Sequence, residues 1–277
     1  MKRADALTAC EATVRRSDPD RYFASLFAPA DKRSLLFALY ALNHEVARAS
    51  EAAREPLMSG VRLEWWRETL EDAREGRLRA HPAAVGLMEI LSSGFVEMTE
   101  LDALIEAREV ESQPVPFSTV EAMESYAGAT SAALMRIAAG LLGAAGRATE
   151  LILQAGIAYG LAGLLRSIPF HATRGKLFLP LSFVAGESVT ALDVLSQKQR
   201  PALKRVINRV RSRALEHFAQ ARHVAIPRSV LAAVLPAALV PAYLSRLVKS
   251  ADPLRQAEIS QLRRQVILLR AAMRQRL

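Results

Sequence analysis

Apolar residues recur at a helical period along most of this chain. Over 30–54, Leu35, Leu36, Leu39, Leu42 and Val46 fall on one stripe at 3.6-residue spacing, which predicts an amphipathic helix. The same pattern predicts helices over 58–75, halted by Gly76, and over 82–91 and 97–110. Gln113-Pro114-Val115-Pro116-Phe117 breaks the periodicity. Ser118-Thr119-Val120-Glu121 reads as a capping box, opening a helix that runs, bent, through Gly140. A long apolar helix is predicted over 150–170, kinked at Pro169 because proline removes an intrahelical donor. After the connector Leu179-Pro180-Leu181, helices are predicted over 201–224, 227–249 and 258–276. Strand signals are scarce, and Ala, Leu and Arg, all strong helix formers, dominate. The fold class is therefore all-α. No repeat or dividing linker is present, so residues 1–277 read as one bundle, with 1–20 expected to be disordered.

Composition adds three points. With 51% hydrophobic residues, the chain can bury a sizeable core. Its single cysteine, Cys10, excludes an internal disulfide and fits a reducing compartment. Residues 1–25 lack the apolar core of a signal peptide, and the longest apolar run, 230–244, holds 15 residues including Pro236 and Pro241, short of the ~20 that cross a bilayer. A cytoplasmic protein is expected, peripheral at most on the inner (cytoplasmic or matrix-side) face of a membrane.

Charge is unevenly spread. Residues 198–277 hold 17 Lys or Arg against Glu216, Asp252 and Glu258, whereas residues 1–197 carry a net −5. This strongly basic helical third is an electrostatic footprint for an anionic membrane surface, a diphosphate or an acidic protein. Zinc spacing, RNA-binding signatures and interleaved aromatics are missing, so no nucleic-acid partner is expected. Nor is there a Ser-His-Asp set, a P-loop or a dinucleotide fingerprint.

The stretch Leu164 to Pro180, LLRSIPFHATRGKLFLP, carries a resemblance. Arg174-Gly175-Lys176-Leu177-Phe178-Leu179-Pro180 is similar to the RGRxYLP segment that follows the second aspartate-rich helix of the squalene/phytoene synthase family. Four further landmarks occur in the family's order: Arg21 to Pro29, then Leu39 to Leu42, Leu63 to Trp66 with Gly76 and His81-Pro82, and Tyr126 to Gly143. The resemblance implies an isoprenoid-synthase-like bundle around a central apolar cavity that binds an isoprenoid or lipid. In active members, carboxylates at helical spacing hold Mg²⁺, which holds a prenyl diphosphate. Here the second cluster is replaced by Ser167-Ile168-Pro169-Phe170-His171, and the first stands near Ala47, Arg48, Ala49, Ser50 and Glu51. Arg166, Pro169, His171, Arg174 and Phe178-Leu179-Pro180 resemble instead the branch of respiratory complex I assembly factors. That branch implies no cofactor, no catalysis, and an assembly intermediate as partner.

Several residues then become candidates, each with two readings. Arg166, Ser167, His171, Arg174 and Lys176 form an anion pocket where the family holds diphosphate, or the cations merely complement a helix C-terminus. His44 and Arg48 share a helix face and replace carboxylates in the cavity, or form a polar edge. Tyr22 and Tyr40 match aromatic positions near the family's cavity, or are core residues. Glu64, Glu68 and Asp72 form an acidic stripe that binds a divalent metal, or a solvated face paired with Arg67, Arg62 or Arg74. As the alternative, an active prenyl transferase would need Mg²⁺ on Glu45 or Glu51 with Glu64 and Glu68.

Overall fold

The structure is a computed structural model that describes residues 2–51, 56–195, 200–249 and 258–277. Its described elements are all helical. The chain opens with α1 (Arg3–Ser17), not with the disordered segment expected: Ala6, Cys10 and Val14 recur at i, i+4, i+8 and are buried where α1 packs on α3 (Ala30–Glu51) and α5 (Pro82–Ser92). Asp18 caps the short α2 (Pro19–Ser25), accepting from the Arg21 backbone N–H, with Pro19 in the first turn. In α3 the predicted stripe is the buried one: Leu36, Leu39, Leu42 and Val46 are each at most 1% exposed.

Helix α4 (Pro56–Arg74) ends before Gly76, whose φ of 76° suits glycine. Next come α6 (Met98–Glu106) and a 3₁₀ turn, Glu109–Ser112. Helix α7 (Val120–Ala127) is capped by Thr119, whose hydroxyl accepts from the Ala122 N–H; the expected Ser118–Glu121 box does not form. The bend predicted before Gly140 is a π-helical segment, Gly128–Ala132, leading into α8 (Ala133–Leu141).

The long helix α9 (Thr149–Ala172) runs through the centre, packed on α12 (Arg200–Arg222), α7 and the π segment. Pro169 lies inside it without ending it. Its approach to the π segment needs glycine: a Cβ at Gly156 would lie 2.3 Å from Ala132 Cα. Two short helices, α10 (Leu181–Ala185) and α11 (Ala191–Leu195), extend the connector. The predicted helix over 227–249 is divided into two 3₁₀ turns, Arg228–Val230 and Leu235–Leu239, and two α segments, α13 (Leu231–Val234) and α14 (Val240–Lys249). Pro236 and Pro241 withhold the donors a continuous helix requires. Ser260 caps the last helix, α15 (Gln261–Arg274).

Contrary to the sequence expectation, two segments are long and apolar enough to cross a membrane by length and composition, Thr149–Ala172 and Arg228–Val248. Most of each is buried in the bundle (67% and 78% of the apolar window), as in the core helices of a folded protein.

Candidate functional site

A cavity of about 570 Å³ opens between the α1–α2 elbow, α3, the 3₁₀ turn at 109–112, α7 with its π segment, and α9, closed at one side by Glu258 and Arg264. It is not the apolar cavity expected. Leucines and alanines of the helical stripes pack against one another and fill the interior, leaving a space lined mainly by charged and polar side chains.

Asp20 anchors one wall. It is 3% exposed and lies at the first turn of α2. Tyr159 of α9 donates to its Oδ2 at 2.9 Å, Tyr243 of α14 to Oδ1 at 2.7 Å, and Arg264 Nε of α15 to Oδ1 at 2.5 Å. Arg166 stands 3.7 Å from Oδ2 and lays its guanidinium over the Tyr243 ring, also at 3.7 Å. Burial and the Asp20 charge hold the Tyr159 and Tyr243 hydroxyls protonated, well above the ordinary tyrosine range. Burial opposes the charges of Arg166 and Arg264, yet Tyr243 and Asp20 keep both guanidiniums ionised.

Glu111 anchors the opposite wall, 2% exposed. Arg108 Nη1 donates to its Oε1 at 2.7 Å, Tyr126 donates to the same oxygen, and Arg108 Nη2 reaches Asn43 Oδ1 at 3.2 Å. Lys176 Nζ donates to the Glu111 carbonyl at 2.6 Å. Between the walls, Arg21 is held by Asp18 at 2.7 Å and sits over the rings of Tyr40 and Tyr159. Buried polar atoms on the cavity lining that lack a hydrogen-bond partner among the described residues include Arg166 Nε and the Ser131 hydroxyl.

The predicted residues separate. Arg166, Ser167 and His171 line the cavity together. His171 stacks on Phe178, ring centroids 3.9 Å apart, and burial, reinforced by Lys176 and Arg174 against the pull of Glu111, lowers its pKa to about 4. Its imidazole is therefore neutral at physiological pH. Lys176 lies behind, on Glu111. Arg174 points away: it is exposed, covers the Phe170 ring at 3.6 Å and donates to the Phe170 carbonyl, the helix-end role.

Tyr40 packs behind Arg21 without lining the cavity, and Tyr22 stacks on Phe37 elsewhere. His44 is half-buried off the cavity, its pKa lowered by burial. Arg48 and Glu45 belong to a separate groove with Trp65, Trp66 and His81, so Arg48 does not stand in the cavity as expected. The physical reason is register: on α3 it is Asn43, not Arg48, that faces inward. Glu64 and Glu68 occupy the outer face of α4, paired with Arg67 and Arg79, and Asp72 is held ionised by Arg77 and Arg79. The side chain of Glu51 lies outside the described residues.

Sequence reasoning missed Asp20, Arg108, Glu111 and Arg264. Tyr159 had a signal, an isolated hydroxyl in an apolar run seven residues before Arg166.

Residues 14–268 match the family model described as squalene/phytoene synthase. The chain belongs to the squalene/phytoene synthase family. Among relatives, NADH dehydrogenase (ubiquinone) complex I assembly factor 6 of Homo sapiens is 27% identical over 86% of this chain and 72% of its own length. Presqualene diphosphate synthase of Rhodopseudomonas palustris is 26% identical over 73% of each. Among solved structures, a dehydrosqualene synthase with bound ligand superposes with a TM-score of 0.82 over 98% of this chain and 96% of its own, at 16% identity. A squalene synthase of Alicyclobacillus acidocaldarius gives 0.73 over 88% and 94%, at 20% identity. At such identities the structural likeness establishes the all-α isoprenoid-synthase fold.

Among the described residues, the cavity of this member of the squalene/phytoene synthase family does not present a donor set that fits Mg²⁺. That ion takes oxygen ligands in octahedral geometry, with carboxylates supplying charge. Both Asp20 oxygens already accept from tyrosines and arginine, Asp18 is committed to Arg21, and Glu111 to Arg108 and Tyr126. Among the described residues, no three His, Cys, Asp or Glu side chains cluster as a metal site. Arg21, Arg108, Arg166 and Arg264 line the cavity, and a guanidinium is suited to binding an anion directly.

The basic C-terminal third is partly neutralised by ion pairs, of which the one at Arg264 is buried. Arg205 pairs with Glu187, Arg213 with Glu124, and Arg264 with Asp20.

Proposed function

We propose that this protein is a non-catalytic member of its family that assists assembly of a respiratory NADH dehydrogenase, holding a ligand or client rather than converting a prenyl diphosphate. One observation carries the reading: the cavity positions 167 and 171, where the family resemblance puts metal-binding carboxylates, carry a hydroxyl and a neutral imidazole. Ionisation of a prenyl diphosphate needs the departing charge to be stabilised, ordinarily by metal. The sequence likeness to complex I assembly factor 6 supports the assembly role. The small ligand that suits the cavity is an anionic group, received by Arg166 and the Ser131 hydroxyl.

Two measurements test this. Purified protein with Mg²⁺ and farnesyl or geranylgeranyl diphosphate should give no product, and deletion of the gene should lower the amount of assembled NADH dehydrogenase on native gels, restored by the intact gene. Formation of squalene, phytoene or presqualene diphosphate, or undiminished assembly in the deletion strain, would overturn the proposal.

A further inference from the structure

Helix α15 is apolar on two opposite faces. Arg264, Leu268 and Ala271 are buried on its inner face, which packs on the 3₁₀ turn at 235–239 and on α2. On its outer face Leu262, Leu269 and Met273 are 71%, 50% and 77% exposed. Val266, partly exposed, completes the row. Spacings of four, three and four residues align these side chains along one line of the helix. Scattered surface leucines need no explanation, but a continuous row of them marks an interaction face.

Its flank is basic. Arg263, Arg270 and Arg274 are exposed along one side of the row, and Gln261 and Gln265 along the other. Residues 259–277 contain no acid. Among the described residues, none of these three arginines forms an ion pair, in contrast to Arg205 and Arg213 of α12. Beside the helix lies a hollow of about 410 Å³ walled by Arg222, His223, Arg270, Arg274 and Arg276, with Ala238, Ile267 and Ala271 among its apolar lining. Among the described residues its lining includes no Asp or Glu, and Leu277 also contributes to it.

From this charge and shape we propose that α15 docks lengthwise on an anionic lipid bilayer. Leu262, Leu269 and Met273 enter the boundary between headgroups and acyl chains. Arg270 and Arg274, with Arg222 and Arg276 in the adjoining hollow, bind lipid phosphates. A helix with an apolar face and a cationic flank is the form that lies in a bilayer interface, and guanidinium matches phosphate geometry through paired donors. A bilayer supplies the apolar layer and the negative charge together. The site is separate from the cavity and goes beyond the assembly role proposed for it.

The test uses the full chain in co-sedimentation with vesicles of phosphatidylcholine, with and without phosphatidylglycerol. The intact protein should pellet with the anionic vesicles, less so at high salt. Leu269→Ser with Met273→Ser, and separately Arg270→Gln with Arg274→Gln, should each weaken binding by about tenfold or more. Because all four residues are exposed, circular dichroism and Tm should match the unchanged chain. Failure of the intact protein to pellet, equal binding to neutral and anionic vesicles, or unaltered binding by both variants would overturn the proposal. If the intact protein ignores vesicles but the variants impair NADH dehydrogenase assembly, the face is a protein interface and the bilayer assignment is wrong.

Discussion

Replacing Asp20 with alanine tests whether the bundle is tied together through one carboxylate. Asp20 joins α2, α9, α14 and α15 by accepting from Tyr159, Tyr243 and Arg264, with Arg166 3.7 Å away. The Arg264 side chain is 7% exposed and that of Asp20 4%. Removing the acid leaves a buried guanidinium and two hydroxyls with no acceptor. Removing one partner of a buried pair costs about 3–5 kcal/mol, a large fraction of the 5–15 kcal/mol that typically stabilises a domain. For a chain of this size, that corresponds to a fall in Tm of roughly 6–20 °C. Thermal and urea unfolding of Asp20→Ala, Arg264→Met and the double variant give the coupling directly. The double variant should be less destabilised than the sum of the singles by more than ~1 kcal/mol, because the second change removes the stranded charge. A loss below ~1 kcal/mol in Asp20→Ala, or simple additivity, would refute the claim that this network fastens the C-terminal helices to the bundle.

Two other substitutions probe the central helix. Gly156→Ala should prevent folding or cost at least ~3 kcal/mol, since its Cβ would meet backbone at 2.3 Å, whereas Gly163→Ala, with nothing within 4 Å, should be neutral or raise stability by up to ~1 kcal/mol; equal effects in thermal unfolding would contradict the packing of α9 on the π segment. The depressed His171 pKa of about 4, against an ordinary 6.5, means that the unfolded chain binds a proton the native site refuses. Its contribution is complete above pH 6.5 and disappears as pH falls from 6.5 to 4, a loss of about 3 kcal/mol. His171→Phe, which keeps a ring against Phe178, should flatten that part of the stability–pH curve, and an unchanged slope would show that another group is responsible.

The positions of the charges follow one physical rule. A carboxylate or guanidinium leaves water only when a partner and further hydrogen bonds compensate. Asp20 meets this condition by recruiting tyrosines and an arginine from segments far away in sequence, and Glu111 by recruiting the nearby Arg108 and Tyr126. Among the described residues, the outer arginines of α15 have no such partner and stay exposed to solvent.

Helical periodicity, proline and glycine punctuation, and the landmark segments at 20–180 were enough to determine the all-α class, most helix positions, the family frame and the loss of carboxylates at 167–171. These are local features, fixed by what neighbouring residues do over one or two turns. Tertiary structure alone decided that α1 is ordered, since only burial of Ala6, Cys10 and Val14 against α3 and α5 stabilises it. It also decided that Arg48 faces outward and that the cavity is charged rather than apolar. Asp20 and Arg264 are 244 positions apart, and no local pattern relates them. Which side chains face one another across a bundle depends on helix rotation and crossing, and these are set by close packing of the whole core.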